Sequence, residues 1–369
     1  MLNKLRYIID IGSSSLRMYA IIKRGKKSRI VAEEAVLYDG YLDGEFLSVD
    51  DLDNKLLTLV ENMQSKLRKK ITSVVIGVPS DFCVCVCKRI SRKFITPHKI
   101  TNGDIVNLYE SNLNVGNTEE YSVINYSPMQ FVLDGNLKTL NALGKKVSSL
   151  ILDASYILAK KDFLQLITNK LESIGIKTIE FVSTALGQGM ACEPKSKNNK
   201  PIAIVDCGHI TTSVSIFKGE GLALMSSFSL GGGHISSDLM QVLGLSFKDS
   251  ELIKRKVILT IESNKNDYYE ITSRGNVIKA PINITNQVVK SRIEKIAKII
   301  GEILTLDDVY NDVDIYLTGD GLTHFKGVKN IIKNTTNRQV YEYKIPFDNS
   351  YNKYQTSKTG LISLVDILN

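Results

Sequence analysis

Two stretches of this 369-residue chain follow one plan. Pro201–Phe217, PIAIVDCGHITTSVSIF, runs from apolar Ile202–Val205 into Asp206, turns through Gly208, shows hydroxyls at Thr211, Thr212 and Ser213, and returns as an alternating strand. Tyr7–Tyr19, YIIDIGSSSLRMY, does the same, with Asp10, Gly12, Ser13, Ser14 and Ser15 at its tip. Each copy reads as strand, turn, strand. Asp10 aligns with Asp206 and Gly12 with Gly208, which sets the copies 196 residues apart. That spacing exceeds any solenoid period and approximates one domain. A glycine lets backbone amides approach an anion, hydroxyls donate to its oxygens, and a strand-end carboxylate holds Mg²⁺ through water. Either copy alone reads as an ordinary polar hairpin. The pair predicts two similar halves facing a cleft, with a phosphate chain and Mg²⁺ clamped between two tips.

The length is enough for two lobes with their own cores. Apolar residues at 43% and charged residues at 23% are those of an ordinary globular chain. No run is long enough for a membrane span, and Met1 leads directly into a strand rather than a signal-peptide core. With five cysteines, this points to free thiols in a reducing cytoplasm. Cys83, Cys85 and Cys87 alternate on one strand face and read as small core residues, not a zinc site. The four histidines (His98, His209, His234 and His324) form no helical metal pair. Net charge is +8, with basic runs at Lys23–Arg29, Lys66–Lys70 and Lys195–Lys200 expected as solvated loops and helix ends. No aromatic–basic interleaving suggests nucleic acid, although an acidic peptide partner suits the charge.

In order, the pattern predicts a hairpin over 3–24, a strand Val31–Tyr38, a turn Asp39–Gly44, a helix Asp50–Leu67, a strand Val74–Val78 stopped by Pro79, and alternation over Phe82–Val86. An inserted α/β subdomain follows. It holds helix Thr101–Asn112, strands near Glu120–Tyr126 and Gln130–Leu133, a turn at Asp134–Gly135, and strand Val147–Ala154. Helix Lys160–Ile174, strand Thr178–Val182, helix Thr184–Ala191 and the linker Lys195–Lys200 lead to the second lobe. There, strand Leu222–Leu230 runs into Gly231–Gly233 before helix Ser236–Leu243, three glycines that read as a second anion- or sugar-friendly approach. Helix Phe247–Val257, hairpin Tyr268–Pro281, helix Thr285–Leu304, strand Ile315–Leu317 opening into Thr318–Gly321, helix Lys326–Thr335 and a last helix Thr356–Leu368 complete the chain.

The ordered set of two DxG-hydroxyl hairpins and the glycine runs Leu230–Gly233 and Thr318–Gly321 resembles the actin/Hsp70/sugar-kinase ATPase superfamily. Within it the chain looks like the FtsA family of bacterial division proteins. INYSPMQFVLDGNLKTLNALG (Ile124–Gly144), LGGGHISSD (Leu230–Asp238), the Glu251/Lys254 pair and Gly360–Leu361 are similar to that family. The resemblance implies an actin-like fold with two ribonuclease-H-like cores. The first lobe would comprise 1–87, 160–195 and 355–369, with an inserted subdomain 88–159; the second, 196–244 and 305–354, with a small subdomain 245–304.

It further implies ATP and Mg²⁺ as ligands. Asp10, Gly12, Ser13, Ser14 and Arg17 (where the family often has lysine) would form the first phosphate loop, and Asp206, Gly208, Thr211 and Thr212 the second. Asp10 and Asp206 would hold Mg²⁺ through water. Gly231, Gly232, Glu251 and Lys254 would face ribose and adenine, with Gly319 and Gly321 lying against the adenosine. Gln188, on the connecting helix, is either an exposed polar residue or a water-orienting one. His209 and Ile210 stand where the family usually has glycines, Ser213 where it has an acid, and Asp320 where it has a glycine. β-Branched Ile210 resists positive φ, and the added bulk disfavours efficient hydrolysis, so a weak Mg-dependent ATPase is the most that is expected.

The implied role is an ATP-binding adaptor that forms filaments and docks the acidic C-terminal tail of the tubulin-like FtsZ ring through about 245–304, on the cytoplasmic face of the septum. The family usually ends in a membrane-binding amphipathic helix. Here the sequence stops at Asn369, so attachment by that route is not expected. A non-hydrolysing PilM-like scaffold that captures a peptide of a membrane partner is the alternative, favoured by DIGSSS. A sugar kinase needs a catalytic aspartate beyond Asp10 and Asp206, and an Hsp70-type chaperone needs a further domain.

Overall fold

A computed structural model describes residues 5–24, 27–115, 118–192, 200–264, 266–307 and 310–343. The expected linker over most of Lys195–Lys200 and the last helix Thr356–Leu368 lie outside the described residues. β1 (Leu5–Ile11) and β2 (Ser15–Arg24) form the first hairpin, and β3 (Lys27–Leu37) extends it. A small ladder, β4 (Tyr41–Leu42) with β5 (Glu45–Phe46), leads to α1 (Val49–Leu67) and β6 (Ser73–Val78). The middle of the chain holds β7 (Cys83–Lys99), α2 (Asn102–Glu110), β8 (Tyr121–Leu133), β9 (Leu137–Thr139) and β10 (Lys146–Lys160). Next come α3 (Lys161–Ser173), β11 (Thr178–Ser183) and α4 (Thr184–Ala191). The second half runs β12 (Ile202–Cys207), β13 (Thr212–Lys218), β14 (Gly221–Phe228), α5 (Gly232–Leu243), α6 (Phe247–Lys254), β15 (Tyr268–Ser273) and β16 (Asn276–Pro281). It closes with α7 (Ile282–Ile303), β17 (Asp314–Thr318), α8 (Val328–Thr336) and β18 (Val340–Glu342).

Local chemistry sets these elements. Ser48 caps α1 by accepting from the Asp51 amide at 3.1 Å, Asp50 and Asp51 favour its positive end, and Arg68 closes it in the left-handed region. Its helical apolar stripe, Leu52, Leu56, Leu59, Val60 and Met63, is buried against β1, β2 and β6, with α3 beside it. The matching second core sets α5, α7 and α8 on β12, β13 and β17.

The two five-stranded sheets are topological copies. One has the order β3-β2-β1-β6-β11 and the other β14-β13-β12-β17-β18. In each, the first strand pairs antiparallel with the second and parallel with the fourth. The duplication read at the hairpins therefore extends through whole sheets.

Two strands are longer than alternation suggests. β7 continues from Cys83 to Lys99, carrying the chain without a break from the first lobe into the inserted sheet, whose order is β7-β10-β8-β9. β8 spans the two strands expected near 120–126 and 130–133. Pro128 is accommodated at a bulge, where the pairing steps from Asp153↔Gln130 to Ala154↔Pro128. The inserted sheet also leans on the second lobe. The Ser155 hydroxyl donates to Leu222 O at 2.7 Å and accepts from Leu222 N at 3.1 Å, and Glu220 N donates to Pro128 O at 2.9 Å. Cys83 and Cys85 pack against the buried core, as expected, whereas Cys87 on the same face does not. The Cys85 and Cys87 thiols meet the Leu222 carbonyl at this seam, and Cys87 is exposed.

Candidate functional site

The tips of the two hairpins repeat each other bond for bond. Gly12 N donates to Ser15 O at 3.0 Å, and Gly208 N donates to Thr211 O at 2.8 Å. Antiparallel pairing brings Asp10 opposite Arg17 and Asp206 opposite Ser213. Both carboxylates line one cleft of about 740 Å³ between the sheets. The tips also touch, since Ile210 N donates to the Ser13 hydroxyl at 3.1 Å.

Burial governs the electrostatics. Desolvation pushes the Asp10 carboxyl up to about 6 against the pull of Arg17, with Asp206 adding to the rise. Asp206 is raised for the same first reason, while a hydrogen bond from Gln188 works against it. Two desolvated acids in reach of each other form a site that a cation would relieve. Among the described residues no cluster of three or more His, Cys, Asp or Glu is placed to hold a metal directly. The donor set fits an ion that keeps its own waters, as Mg²⁺ does.

Gln188 is not an exposed polar residue. It is buried, its Nε2 donates to Asp206 Oδ2 at 2.5 Å, and Tyr343 Oη donates to its carbonyl at 2.7 Å. Ser14, Arg17, Gly232, Glu251, Lys254, Gly319 and Gly321 also line the cleft, whereas Thr212 and Gly231 do not. The Thr212 hydroxyl is buried and donates to Leu230 O at 2.6 Å.

The triple glycine does different work from that expected. α5 starts at Gly232, so two of the glycines form its first turn. Gly232 N donates to Gly208 O at 2.9 Å and Gly233 N to His209 O at 2.7 Å, which commits these amides to the second hairpin instead of a ligand. A Cβ on Gly232 would stand 2.6 Å from Gly321 Cα, so the glycines serve close packing of three backbones. Lys254 braces the same turn. Buried, it donates to Gly232 O at 2.8 Å and to the Glu251 carboxylate. Burial also depresses the pKa of His209, whose ring lies edge-on to Phe247 at 6.1 Å.

Several cleft residues escape a reading of the sequence. Tyr38 Oη donates to Gly12 O at 2.8 Å, fixing the first tip. Asp81, one turn past β6, lines the cleft, and burial raises it to about 6, with hydrogen bonds from Thr211 and Ser227 in opposition. Nearby, the Ser229 hydroxyl donates to the Asp43 carboxylate across the lobes. A carboxylate just beyond a strand end, as at Pro79–Ser80–Asp81, is the one local hint.

Against known proteins, the family model described as type IV pilus assembly protein PilM matches residues 8–266, more than half of the chain. This chain belongs to the PilM family. It is also a divergent FtsA-like chain: the model for cell division protein FtsA matches residues 203–356. FtsA of Bacillus subtilis (strain 168) is 20% identical over 82% of this chain and 70% of its own length. FtsA of Streptococcus pneumoniae (serotype 2, strain D39) is 19% identical over 78% of this chain, which spans 64% of that relative. Among solved structures, the PilM–PilN type IV pilus biogenesis complex superposes with a TM-score of 0.64 at 12% identity, covering 98% of both chains. MreB5 of Spiroplasma citri bound to AMPPNP gives 0.56 at 11% identity, over 98% of this chain and 95% of that one. The fold of this PilM-family chain is therefore actin-like, with mixed sheets in two lobes.

Proposed function

We propose that this chain is an actin-like adaptor that grips a magnesium-bound adenine nucleotide between its lobes and turns it over weakly at most. The observation that carries the reading is the convergence of two equivalent hairpins, with Asp10 and Asp206 on one cleft. A nucleotide-bound actin-like relative such as MreB5 supports it.

In this reading Asp10 and Asp206 hold the hydrated metal, Ser13, Ser14 and Thr211 donate hydroxyls to phosphate oxygens, and Arg17 adds positive charge. Gly12, Gly208, Gly319 and Gly321 keep the backbones close to the ligand, and Gly232, Glu251 and Lys254 bound its far end. Bound Mg²⁺ would neutralise charge on the terminal phosphate. Weak turnover follows from two engagements. The Gln188 amide is held on Asp206, and the Ile210 amide is committed to Ser13. Titrating a fluorescent ATP analogue tests this: Asp206→Ala should abolish Mg-dependent binding, and unchanged affinity would remove the role given to that carboxylate.

The role we infer is that of FtsA relatives: self-association and linkage of the FtsZ tail to the division machinery at the septal membrane, with the tail docking on about 245–304. The curated FtsA similarity, which extends over most of the chain, supports this. A PilM-like scaffold that captures a peptide of a membrane partner is the second reading, favoured by the match over residues 8–266. Pull-down separates them, because an FtsA-like chain retains the FtsZ tail peptide and a PilM-like one retains the N-terminal peptide of a membrane partner.

A further inference from the structure

The outer end of the inserted sheet carries an unusual side chain. Ile95 is fully exposed, at 105% of its reference area. The pairing of β7 with β10 steps from Lys93↔Ser149 to His98↔Val147, so residues 94–97 of β7 stand opposite Ser148 alone and loop outward. The loop is braced from within. Phe94 packs on the core of the inserted sheet and stacks on His98 at 4.7 Å, and the Arg92 guanidinium lies over the same ring at 5.3 Å from its centroid. His98 Nε2 lies 2.8 Å from Asp104 Oδ2. With Phe94 held inward, the alternation of the strand turns Ile95 outward.

The surroundings are basic. Residues 88–99 and 137–152 contain Lys88, Arg89, Arg92, Lys93, Lys99, Lys138, Lys145 and Lys146, with no Asp or Glu. Adjacent acids are engaged locally: Asp104 with Arg92 and His98, Asp153 with Arg89 at 2.7 and 3.0 Å, and Asp134 on the Ser148 and Ser149 amides. Lys93, Lys99, Lys145 and Lys146 are exposed at the same end of the ladder, and Leu143, 45% exposed in the neighbouring turn, adds apolar area.

We propose that this tip, Ile95 ringed by Lys93, Lys99, Lys145 and Lys146, is a docking surface for an anionic lipid membrane. An apolar side chain that enters the headgroup boundary while lysines meet anionic headgroups is the usual chemistry of peripheral attachment. Addition of an extended peptide strand fits less well, because the loop and Pro97 interrupt the outer edge of β7. The surface lies outside the cleft, and Asp206→Ala, which tests the nucleotide reading, leaves it intact.

Co-sedimentation of the full chain with vesicles provides the test. Binding should require phosphatidylglycerol in a phosphatidylcholine background and should fade with salt. Ile95→Asp, and Lys93→Glu with Lys145→Glu, should each weaken it by about tenfold or more, since each interfacial lysine contributes about fivefold. These positions are exposed, so an unchanged Tm accompanies the expected loss. Equal binding to phosphatidylcholine alone, no vesicle binding, or full binding by Ile95→Asp would overturn the assignment. So would capture of a glutamate-rich peptide by the same lysines without any vesicle binding, which would give the face to a protein partner.

Discussion

Arg17 on the first lobe reaches across the cleft to Asp320 on the second, Nη2 to Oδ2 at 3.8 Å. Both residues depart from what the FtsA resemblance leads one to expect, and the two departures answer each other. Arginine supplies the longer reach, and the acid supplies its counter-charge at the rim. The Asp320 side chain is 41% exposed, so the tie is modest in energy, but a polyphosphate entering the cleft must compete for the same guanidinium.

Replacing the acid should therefore help the ligand. Asp320→Ala is expected to tighten Mg·ATP binding by roughly three- to tenfold, since it removes both a rival partner and a repelling charge. A fluorescence titration of a labelled ATP analogue at low salt checks this. Weaker binding in the variant would show that Asp320 contacts the ligand favourably.

The cleft should respond to acid. Asp10 and Asp81 are both raised to about 6, and Asp206 is raised as well. A carboxyl that holds its proton more tightly when folded favours the fold below its unfolded pKa and loses that contribution as pH rises through about 6. Metal binding needs the charged form and has the opposite dependence, so Mg-dependent nucleotide affinity should fall as pH drops below about 6. Asp81→Asn separates the two acids: the affinity profile should persist in that variant if Asp10 governs it. Calorimetry across the range reads both effects.

Loosening the second tip trades stability for turnover. Substituting glycine for both His209 and Ile210 removes the His209 ring contact with Phe247 and the β-branched restraint at Ile210, and any ATPase rate should rise. The two new glycines should cost about 1–2 kcal/mol of stability from chain entropy. A coupled phosphate-release assay beside a thermal melt tests the pair of effects. A rate that stays flat would acquit these two side chains of limiting hydrolysis.

The packed glycines predict a purely structural lesion. At Gly232 a Cβ meets the backbone of Gly321 at 2.6 Å, and at Gly233 it meets His209 Nε2 at 2.8 Å. Gly232→Ala must push two backbones apart and should cost about 2–3 kcal/mol, whereas Gly233→Ala has a side chain that can move and should cost less. Thermal melts would rank them. Equal Tm values would contradict the role of close backbone approach.

Local patterns carried much of this molecule. Alternation marked the strands around Asp10 and Asp206, and the helical stripe from Leu52 to Met63 marked α1. The spacing between the two aspartates pointed to duplicated lobes, because a repeat registers in composition and order at once. What escaped notice depends on distant partners. Gln188 resembles any helix polar residue until Asp206 is set beside it, and Asp81 matters only once Thr211 and Ser227 close over it. Gly232 and Gly233 resemble an anion loop in sequence, yet carbonyls from the second hairpin, more than twenty residues earlier, use their amides. The two short strands expected near 120–126 and 130–133 are one, because the bulge that accommodates Pro128 between them exists only in the pairing with β10.

β7 starts two residues after Asp81 and pairs with β10 in unbroken register from Cys83 to Lys93, well into the inserted sheet. At about 3.3 Å per residue such a ladder measures several tens of ångströms and has no hinge at the lobe boundary. It is a beam rooted in the wall of the cleft. A displacement at its far end would be passed along the paired strands toward the turn that carries Asp81, so a pull on the inserted sheet would be felt beside the cleft.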